Sequence, residues 1–246
     1  MVIPGDRWVV VSGAGGFLGC AIAAHFAASG SRVLALDRKF DPAAPLLPGV
    51  TARSVDLLNE VDTRQALADS IPAGDSIALL VNAVGLIWNE PILALRGARF
   101  STHGLASWQT VIDANLTAPF VAATQVAVRM VRRGGGSIVN CSSIAAEGNA
   151  GQAAYAAAKA GIEGLTRTMA IELGPLGIRV NALALGFIDV ATTRDAVADD
   201  RLRSYEQKTP LGRLGSTEEV INGIEFLAAN TFANGTIVKL DGGLRL

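Results

Sequence analysis

Trp8-Val9-Val10-Val11-Ser12-Gly13-Ala14-Gly15-Gly16-Phe17-Leu18-Gly19 passes from an apolar, β-branched run into a glycine-rich turn. The run at 8–12 reads as a strand buried on both faces. From residue 18 to 28 the apolar positions recur at helical spacing. A buried strand, a tight glycine turn and a helix together predict the first half of a strand–helix–strand unit.

Outward from this stretch the same alternation continues. Further short apolar runs at 32–37, 76–81, 137–141, 179–184 and 236–240 read as strands. Between them, 63–69, 108–131, 155–173 and 218–229 carry apolar residues at helical spacing. Strands that are apolar on both faces and alternate with helices predict a parallel sheet covered on both sides. That is a doubly wound α/β architecture, which binds ligands beyond the carboxyl ends of its strands. No repeat or composition break divides the chain, so 1–246 is expected to form a single domain. Two segments break the alternation, about 86–107 and about 187–214. Long excursions at strand carboxyl ends are usually functional, and these two are expected to wall a substrate pocket. Trp88, Ile92, Leu93, Leu95, Phe100 and Phe187 supply apolar surface for such a wall, or core under the loops.

Bulk composition narrows the class. Half of the residues are hydrophobic and 17% are charged, which excludes a disordered chain. The formal net charge is −1, so neither nucleic acid nor an anionic membrane surface is expected as a partner. The tract Arg132-Arg133-Gly134-Gly135-Gly136 reads as a turn feeding the strand at 137–141. Cys20, Cys141, His25 and His103 lack the spacing of a metal site, and two thiols make no disulfide framework. The first residues run almost directly into a strand, and no stretch reads as membrane-spanning, so a cytoplasmic location is expected.

The glycine turn has a chemical reading as well as a structural one. Glycines let the backbone approach a pyrophosphate, which the N-terminus of the next helix then holds. Ser12, Gly13, Gly16, Phe17, Leu18 and Gly19 are the candidates for this contact. A plain tight turn uses the same residues, but context favours the ligand, since Asp37 ends the second strand about 20 residues on. A carboxylate there accepts from the adenosine ribose hydroxyls and repels a 2′-phosphate, so NAD is expected over NADP. Arg38 directly after it is a candidate receiver for that phosphate, or a surface charge.

Tyr155 and Lys159 stand four residues apart on a predicted helix, on one face. An ammonium nearby favours phenolate over phenol, which makes Tyr155 a candidate general acid/base. The surrounding Ala153-Ala154-Tyr155-Ala156-Ala157-Ala158-Lys159-Ala160-Gly161 is small and bland. Two large polar groups on such a face suggest close packing against a ligand or another subunit. Just upstream, the strand at 137–141 runs into Ser142-Ser143, where a hydroxyl can face the same pocket or make a turn.

Taken together, these residues resemble the short-chain dehydrogenase/reductase family over essentially the whole chain. The matches are the glycine turn, Asp56-Leu57, Asn82-Ala83-Val84-Gly85, Asn115-Leu116-Thr117, Ser142, the Tyr155/Lys159 pair, Arg179-Val180-Asn181 and Asp241-Gly242-Gly243. The resemblance implies that Tyr155 exchanges the hydroxyl proton while Ser142 holds the substrate oxygen. It also implies that Lys159 binds the nicotinamide ribose and that Asn115 anchors a proton-relaying water. Asp56 and Leu57 would border the adenine, and Asn82, Ala83 and Gly85 would shape the cofactor cleft. A narrower resemblance, to type 2 3-hydroxyacyl-CoA dehydrogenases, rests on Thr102-His103-Gly104-Leu105 closing the first excursion and on the tail Asn234-Gly235-Thr236-Ile237-Val238-Lys239-Leu240-Asp241-Gly242. It implies oxidation of a secondary alcohol with NAD.

Four features depart from the family pattern. Phe17 stands where a glycine is common, and Ala83-Val84 alter the Asn-Asn-Ala-Gly motif. Leu185 replaces a proline before Gly186, and Val190 replaces a threonine, leaving Gly186 and the backbone around Ile188 to hold the carboxamide. The leading expectation is an NAD-dependent oxidoreductase for a small-molecule alcohol or ketone, such as a 3-hydroxyacyl thioester or a cyclic alcohol. An NADPH-dependent ketoreductase of fatty-acid or polyketide type is the alternative within enzymes. A catalytically silent dinucleotide-binding scaffold is the alternative outside them. The family likeness further implies a homo-oligomer, a tetramer or dimer, pairing through the helices at 108–131 and 155–173.

Overall fold

The computed structural model describes residues 7–40, 48–190 and 199–245. Seven strands form one sheet: β1 (Arg7–Ser12), β2 (Arg32–Asp37), β3 (Val50–Ser54), β4 (Ser76–Asn82), β7 (Gly136–Ser143), β8 (Ile178–Leu185) and β9 (Ile237–Leu240). Their order is β3-β2-β1-β4-β7-β8-β9, and every pairing is parallel. Strand order reverses between β1 and β4, and a crevice opens there beyond the strand ends. Two short strands between β4 and β7, β5 (Leu93–Arg96) and β6 (Arg99–Thr102), form a separate antiparallel hairpin.

Helices cover both faces: α1 (Phe17–Ala28), α2 (Glu60–Ser70), α3 (Leu105–Ile112), α4 (Ala118–Val131), α5 (Ala153–Leu173), α6 (Asp199–Lys208) and α7 (Thr217–Ala229). One buried cluster joins Val9, Val11 and Val139 to Ile22 and Phe26 of α1 and Ile224 and Leu227 of α7. The other joins Trp8, Val10 and Ile138 to Leu67 of α2, Val126 and Met130 of α4, and Met169 of α5. Successive strand residues thus alternate between two cores, which is why these strands read as continuous apolar runs. Each fully buried Ile, Leu or Phe contributes roughly 1.5–3 kcal/mol. Helix starts are set by caps. The Asn59 side chain accepts from the Val61 and Asp62 amides, and Ser216 and Glu219 form a capping box.

The predicted elements are present, extended by one to a few residues at most ends. The single helix expected over 108–131 is longer and interrupted. A π-helical turn, Asp113–Thr117, joins α3 to α4, and such turns often mark functional positions. The run Leu105–Val131 is also apolar and long enough to cross a membrane by length and composition, where no such stretch was expected. Half of its most apolar window is buried, and α4 packs on β4 and α2, the setting of a core helix. β3, the β5–β6 hairpin and α6 lay outside the sequence assignment of elements. Within the second excursion, 191–198 lies outside the described residues.

Candidate active site

The crevice at the switch point consists of two adjoining cavities. The first, of about 360 Å³, is bordered by Gly13, Gly16, Asp37, Arg38, Asp56 and Leu57, with Thr110, Asp113 and Ala114 from the broken helix. The second, of about 400 Å³, is bordered by Gly16, Phe17, Leu18 and Gly19 on one side and Ser143, Tyr155, Lys159, Gly186 and Ile188 on the other. Gly16 and residues 83–86 line both, so the two form one trough across the sheet end.

The glycine turn is built for close approach. Gly13 has φ +77°, and a Cβ there would lie 2.6 Å from the Val84 amide nitrogen. At Gly15 a Cβ would meet the Lys39 carbonyl at 2.1 Å, because the Gly15 N–H donates to Asp37 Oδ2 at 3.0 Å. Asp37 Oδ1 accepts from the Lys39 amide at 3.2 Å. The Asp37 carboxylate therefore faces the first cavity with both oxygens already braced and a lone pair left on each. Arg38 is exposed and borders the same cavity.

Helix α1 begins at this turn without a side-chain cap and without an acidic residue in its first turn. Its opening amides need an acceptor, and the helix dipole favours a negative one. Gly85 faces open space: a Cβ there would meet no atom within 4 Å. An uncapped helix end, a sterically bare trough wall and a carboxylate braced on the Gly15 amide of the same turn fit a dinucleotide. Phe17 to Gly19 would hold its pyrophosphate, Asp37 its ribose, and the 400 Å³ end its reactive ring.

At that end, Tyr155 projects from the first turn of α5 and Lys159 from the second. Burial pushes the Tyr155 phenol up to about 12, against the lowering effect of a hydrogen bond with the Ser143 hydroxyl. Burial likewise pushes Lys159 down to about 8. Lys159 Nζ donates to the Cys141 carbonyl at 2.9 Å and to the Val84 carbonyl at 3.3 Å, and stands 5.5 Å from the Tyr155 ring centre. The ammonium was expected to depress the tyrosine pKa; burial raises it instead. Cys141 lines the same end, its thiol pushed up to about 11 by burial.

The two serines divide their roles. Strand alternation puts Ser142 on the face of Ile138 and Asn140, toward α5, where its hydroxyl donates to the Lys159 carbonyl (3.3 Å) and Glu163 Oε1 (3.2 Å). Ser143, one position on, meets Tyr155 and accepts from the Ala145 amide at 3.2 Å. The sequence reading named Ser142 as the oxygen-holding serine; both serines border the cavity, and Ser143 is the one whose hydroxyl bears on Tyr155. The two-residue side-chain period of the strand was the signal that could have found it.

Three other expected residues lie behind the trough rather than on it. Ser12 Oγ donates to Asn82 Oδ1 (2.7 Å), Asn82 Nδ2 to Asn140 Oδ1 (2.8 Å), and Asn140 Nδ2 to Thr166 Oγ1 (2.9 Å). All four are buried, so Ser12 and Asn82 tie together the ends of β1, β4 and β7 and the helix α5. Asn115, in the π turn, donates to the Leu86 and Val111 carbonyls, both at 2.9 Å, and accepts from the Leu86 amide at 3.1 Å. Both side-chain donors are spent on carbonyls, which ties the π turn to the trough wall at Leu86.

The wall itself differs from expectation. Leu86, Ile87, Leu185 and Val190 line the 400 Å³ end, and the last two of these departures are 8% and 7% exposed. Leu93, Leu95 and Phe100 of the outlying hairpin, and Ile92 just before it, are 57%, 65%, 71% and 72% exposed, so they are neither cleft wall nor core. Phe187 stacks on Tyr205 at 4.0 Å and borders a separate 210 Å³ cavity next to the trough.

Comparison with known proteins agrees with this geometry. A family described as enoyl-(acyl carrier protein) reductase matches residues 13–245. The short-chain reductase protein NovJ of Streptomyces niveus is 35% identical over 95% of this chain and 92% of its own. The 3-oxoacyl-[acyl-carrier-protein] reductase FabG of Aquifex aeolicus is 32% identical over 96% of each. Among solved structures, a gluconate 5-dehydrogenase from Burkholderia cenocepacia, in complex with NADP and tartrate, superposes with a TM-score of 0.85 at 28% identity, covering 97% of this chain and 94% of that one. A trough crossing a 3-2-1-4 sheet end, a Tyr155–Lys159 helix and a family match over nearly the whole length converge: the chain is an oxidoreductase of the short-chain dehydrogenase/reductase family.

Proposed function

We propose that this enzyme interconverts a secondary alcohol and a ketone, with Tyr155 as the proton donor and acceptor. The observation that carries the reading is that Tyr155, Ser143 and Lys159 line one cleft whose opposite lip is an uncapped helix N-terminus. A bound nicotinamide cofactor supplies or accepts the hydride. Tyr155, held as the neutral phenol by burial, donates its proton to the developing alkoxide in the reducing direction and takes it back in the oxidising one. Ser143 adds a second preorganised hydroxyl at the substrate oxygen. Lys159, held by two carbonyls, brings positive charge to the cleft floor and is placed to bond a cofactor ribose.

NAD is the proposed cofactor. Asp37 stands at the end of β2 in the adenosine cavity, and a 2′-phosphate there would meet its carboxylate. The NADPH-ketoreductase reading is favoured by Arg38 at the rim of that cavity and by the similarity to 3-oxoacyl-carrier reductases. The substrate is proposed as a secondary alcohol or its ketone, among which are 3-hydroxyacyl thioesters, cyclic alcohols and polyols. Subunit pairing is proposed through α4 and α5, which expose Phe120, Val128 and Ile171. A monomer in light scattering would end that part of the reading.

Titration with NADH and NADPH, followed by nicotinamide fluorescence, tests the function. Binding of NADH at least tenfold tighter than NADPH is expected, with turnover of secondary alcohols on NAD. Tighter NADPH binding would transfer the reading to the reductase. Binding of neither would remove it.

A further inference from the structure

The 86–107 excursion is closed by one carboxylate. Glu90 Oε2 accepts from Trp88 Nε1 at 3.0 Å and from Ser107 Oγ at 2.5 Å, and Oε1 accepts from the Gly104 amide at 3.1 Å. These donors hold the Glu90 carboxyl down to about 2, so its acceptor set is unchanged through the neutral range. The Glu90 carbonyl accepts from His103 Nδ1 at 2.9 Å. Both ends of the excursion are thereby fastened to a single residue.

The same residue is fastened to the catalytic helix. The Glu90 amide donates to the Gly151 carbonyl at 2.8 Å, next to a parallel bridge with Gln152. Gln152 precedes the first residue of α5, and its side-chain amide donates to Asn89 Oδ1 at 2.9 Å. Glu90 thus stands between the wall residues Leu86 and Ile87 and the first turn of the helix bearing Tyr155. None of residues 85–110 belongs to either buried cluster of the sheet, so this fastening contributes to the site and not to the core.

We infer that Glu90 is a positioning residue: its carboxylate fixes the Leu86–Ile87 wall against the start of the Tyr155 helix and so sets where the substrate oxygen lies. The inference rests on the proposed alcohol–ketone function. Glu90→Gln keeps the size but turns one acceptor oxygen into a donor, which then faces the Trp88 Nε1–H or the Gly104 N–H with a like group. Ser107→Ala removes one donor and leaves the other two.

The experiment compares wild type, Glu90→Gln and Ser107→Ala by steady-state kinetics, nucleotide titration and amide hydrogen exchange. Glu90→Gln is expected to raise KM about tenfold with kcat lowered less than about threefold, because a displaced Leu86–Ile87 wall loses contacts made equally to bound substrate and transition state. Ser107→Ala shifts KM in the same direction by less, and nucleotide affinity stays within about twofold for both. Exchange is expected to quicken in 86–107 and 150–154 and stay unchanged in the sheet. An active wild type with an unaltered KM in Glu90→Gln overturns the inference, as does unaltered exchange or a uniform increase across the sheet. A wild type that turns over no alcohol or ketone removes the function instead, and the exchange pattern then still decides whether Glu90 holds the wall to the helix.

Discussion

Ser143 meets the Tyr155 hydroxyl, whereas Ser142, one residue earlier on β7, turns its hydroxyl to Glu163 and the Lys159 carbonyl. Their opposite orientations follow from the strand pleat and separate two roles that the sequence leaves merged. Ser143→Ala is expected to lower kcat about 10²–10³-fold, the usual cost of one preorganised donor at a developing oxyanion. Ser142→Ala is expected to keep kcat within about threefold and to cost about 1 kcal/mol of stability, one buried hydrogen bond. Single-turnover rates and urea midpoints check both, and the reverse ranking of the two variants would return the oxygen-holding role to Ser142.

Tyr155→Phe removes the proton donor while keeping the ring. Turnover is expected to vanish and NADH affinity to stay within about twofold, since the phenol is not placed to hold the nucleotide's charged groups. Measurable turnover in this variant contradicts the assignment.

The three titrating groups of the site act on stability in two directions. Lys159 is held at about 8 against an ordinary 10.5, so between those values the folded chain binds fewer protons and stability rises with pH. Tyr155, at about 12 against 10.0, and Cys141, at about 11 against 9.0, bind more protons when folded, so each lowers stability as pH rises above its ordinary value. The window from pH 8 to 9 therefore isolates the lysine. Wild-type urea midpoints are expected to rise across it, and those of Lys159→Met to lose that rise; an identical slope in both would show that Lys159 is charged in the folded state.

Asp37 and Arg38 set the cofactor preference from adjacent positions. Asp37→Ala is expected to narrow the NADH/NADPH affinity ratio by about tenfold or more, the removal of one charge repulsion near a phosphate. Arg38→Ala is expected to leave NADH binding unchanged and weaken NADPH further. A ratio unmoved by Asp37→Ala would remove Asp37 from discrimination and leave it as a brace for the Gly15 amide.

The chain Ser12–Asn82–Asn140–Thr166 is buried and hydrogen-bonded at each step. Asn82→Ala orphans the hydroxyl of Ser12 and the carbonyl oxygen of Asn140 at once, and is expected to cost about 2–4 kcal/mol. A loss below about 0.5 kcal/mol by chemical denaturation would mean that the neighbours re-pair.

The parallel sheet was legible because burial on both faces writes itself as runs such as Val9-Val10-Val11 and Leu79-Leu80-Val81. Tyr155 and Lys159 were legible because helical spacing alone places them together. The facing of Ser12 and Asn82 was not, because a polar residue near a strand end reads the same whether it points into a ligand cleft or into a neighbouring strand. Nor was the β5–β6 hairpin, whose exposed Leu95 and Phe100 mimic the pattern of a buried wall. The π turn escaped for another reason: its apolar residues keep helical spacing through Asp113–Thr117, and only the hydrogen-bond pattern distinguishes it.

Helix α1 starts with no side chain to cap it. Its first amides are left to water or to an anion that rests against them, and with the anion a fraction of the folded state's free energy resides outside the polypeptide. An anionic nucleotide present at a hundred times its dissociation constant would add about 2.7 kcal/mol to the unfolding free energy. The amount of intact enzyme in a cell would then track the supply of that nucleotide, and starvation for it would expose the chain to proteolysis before any change in its synthesis.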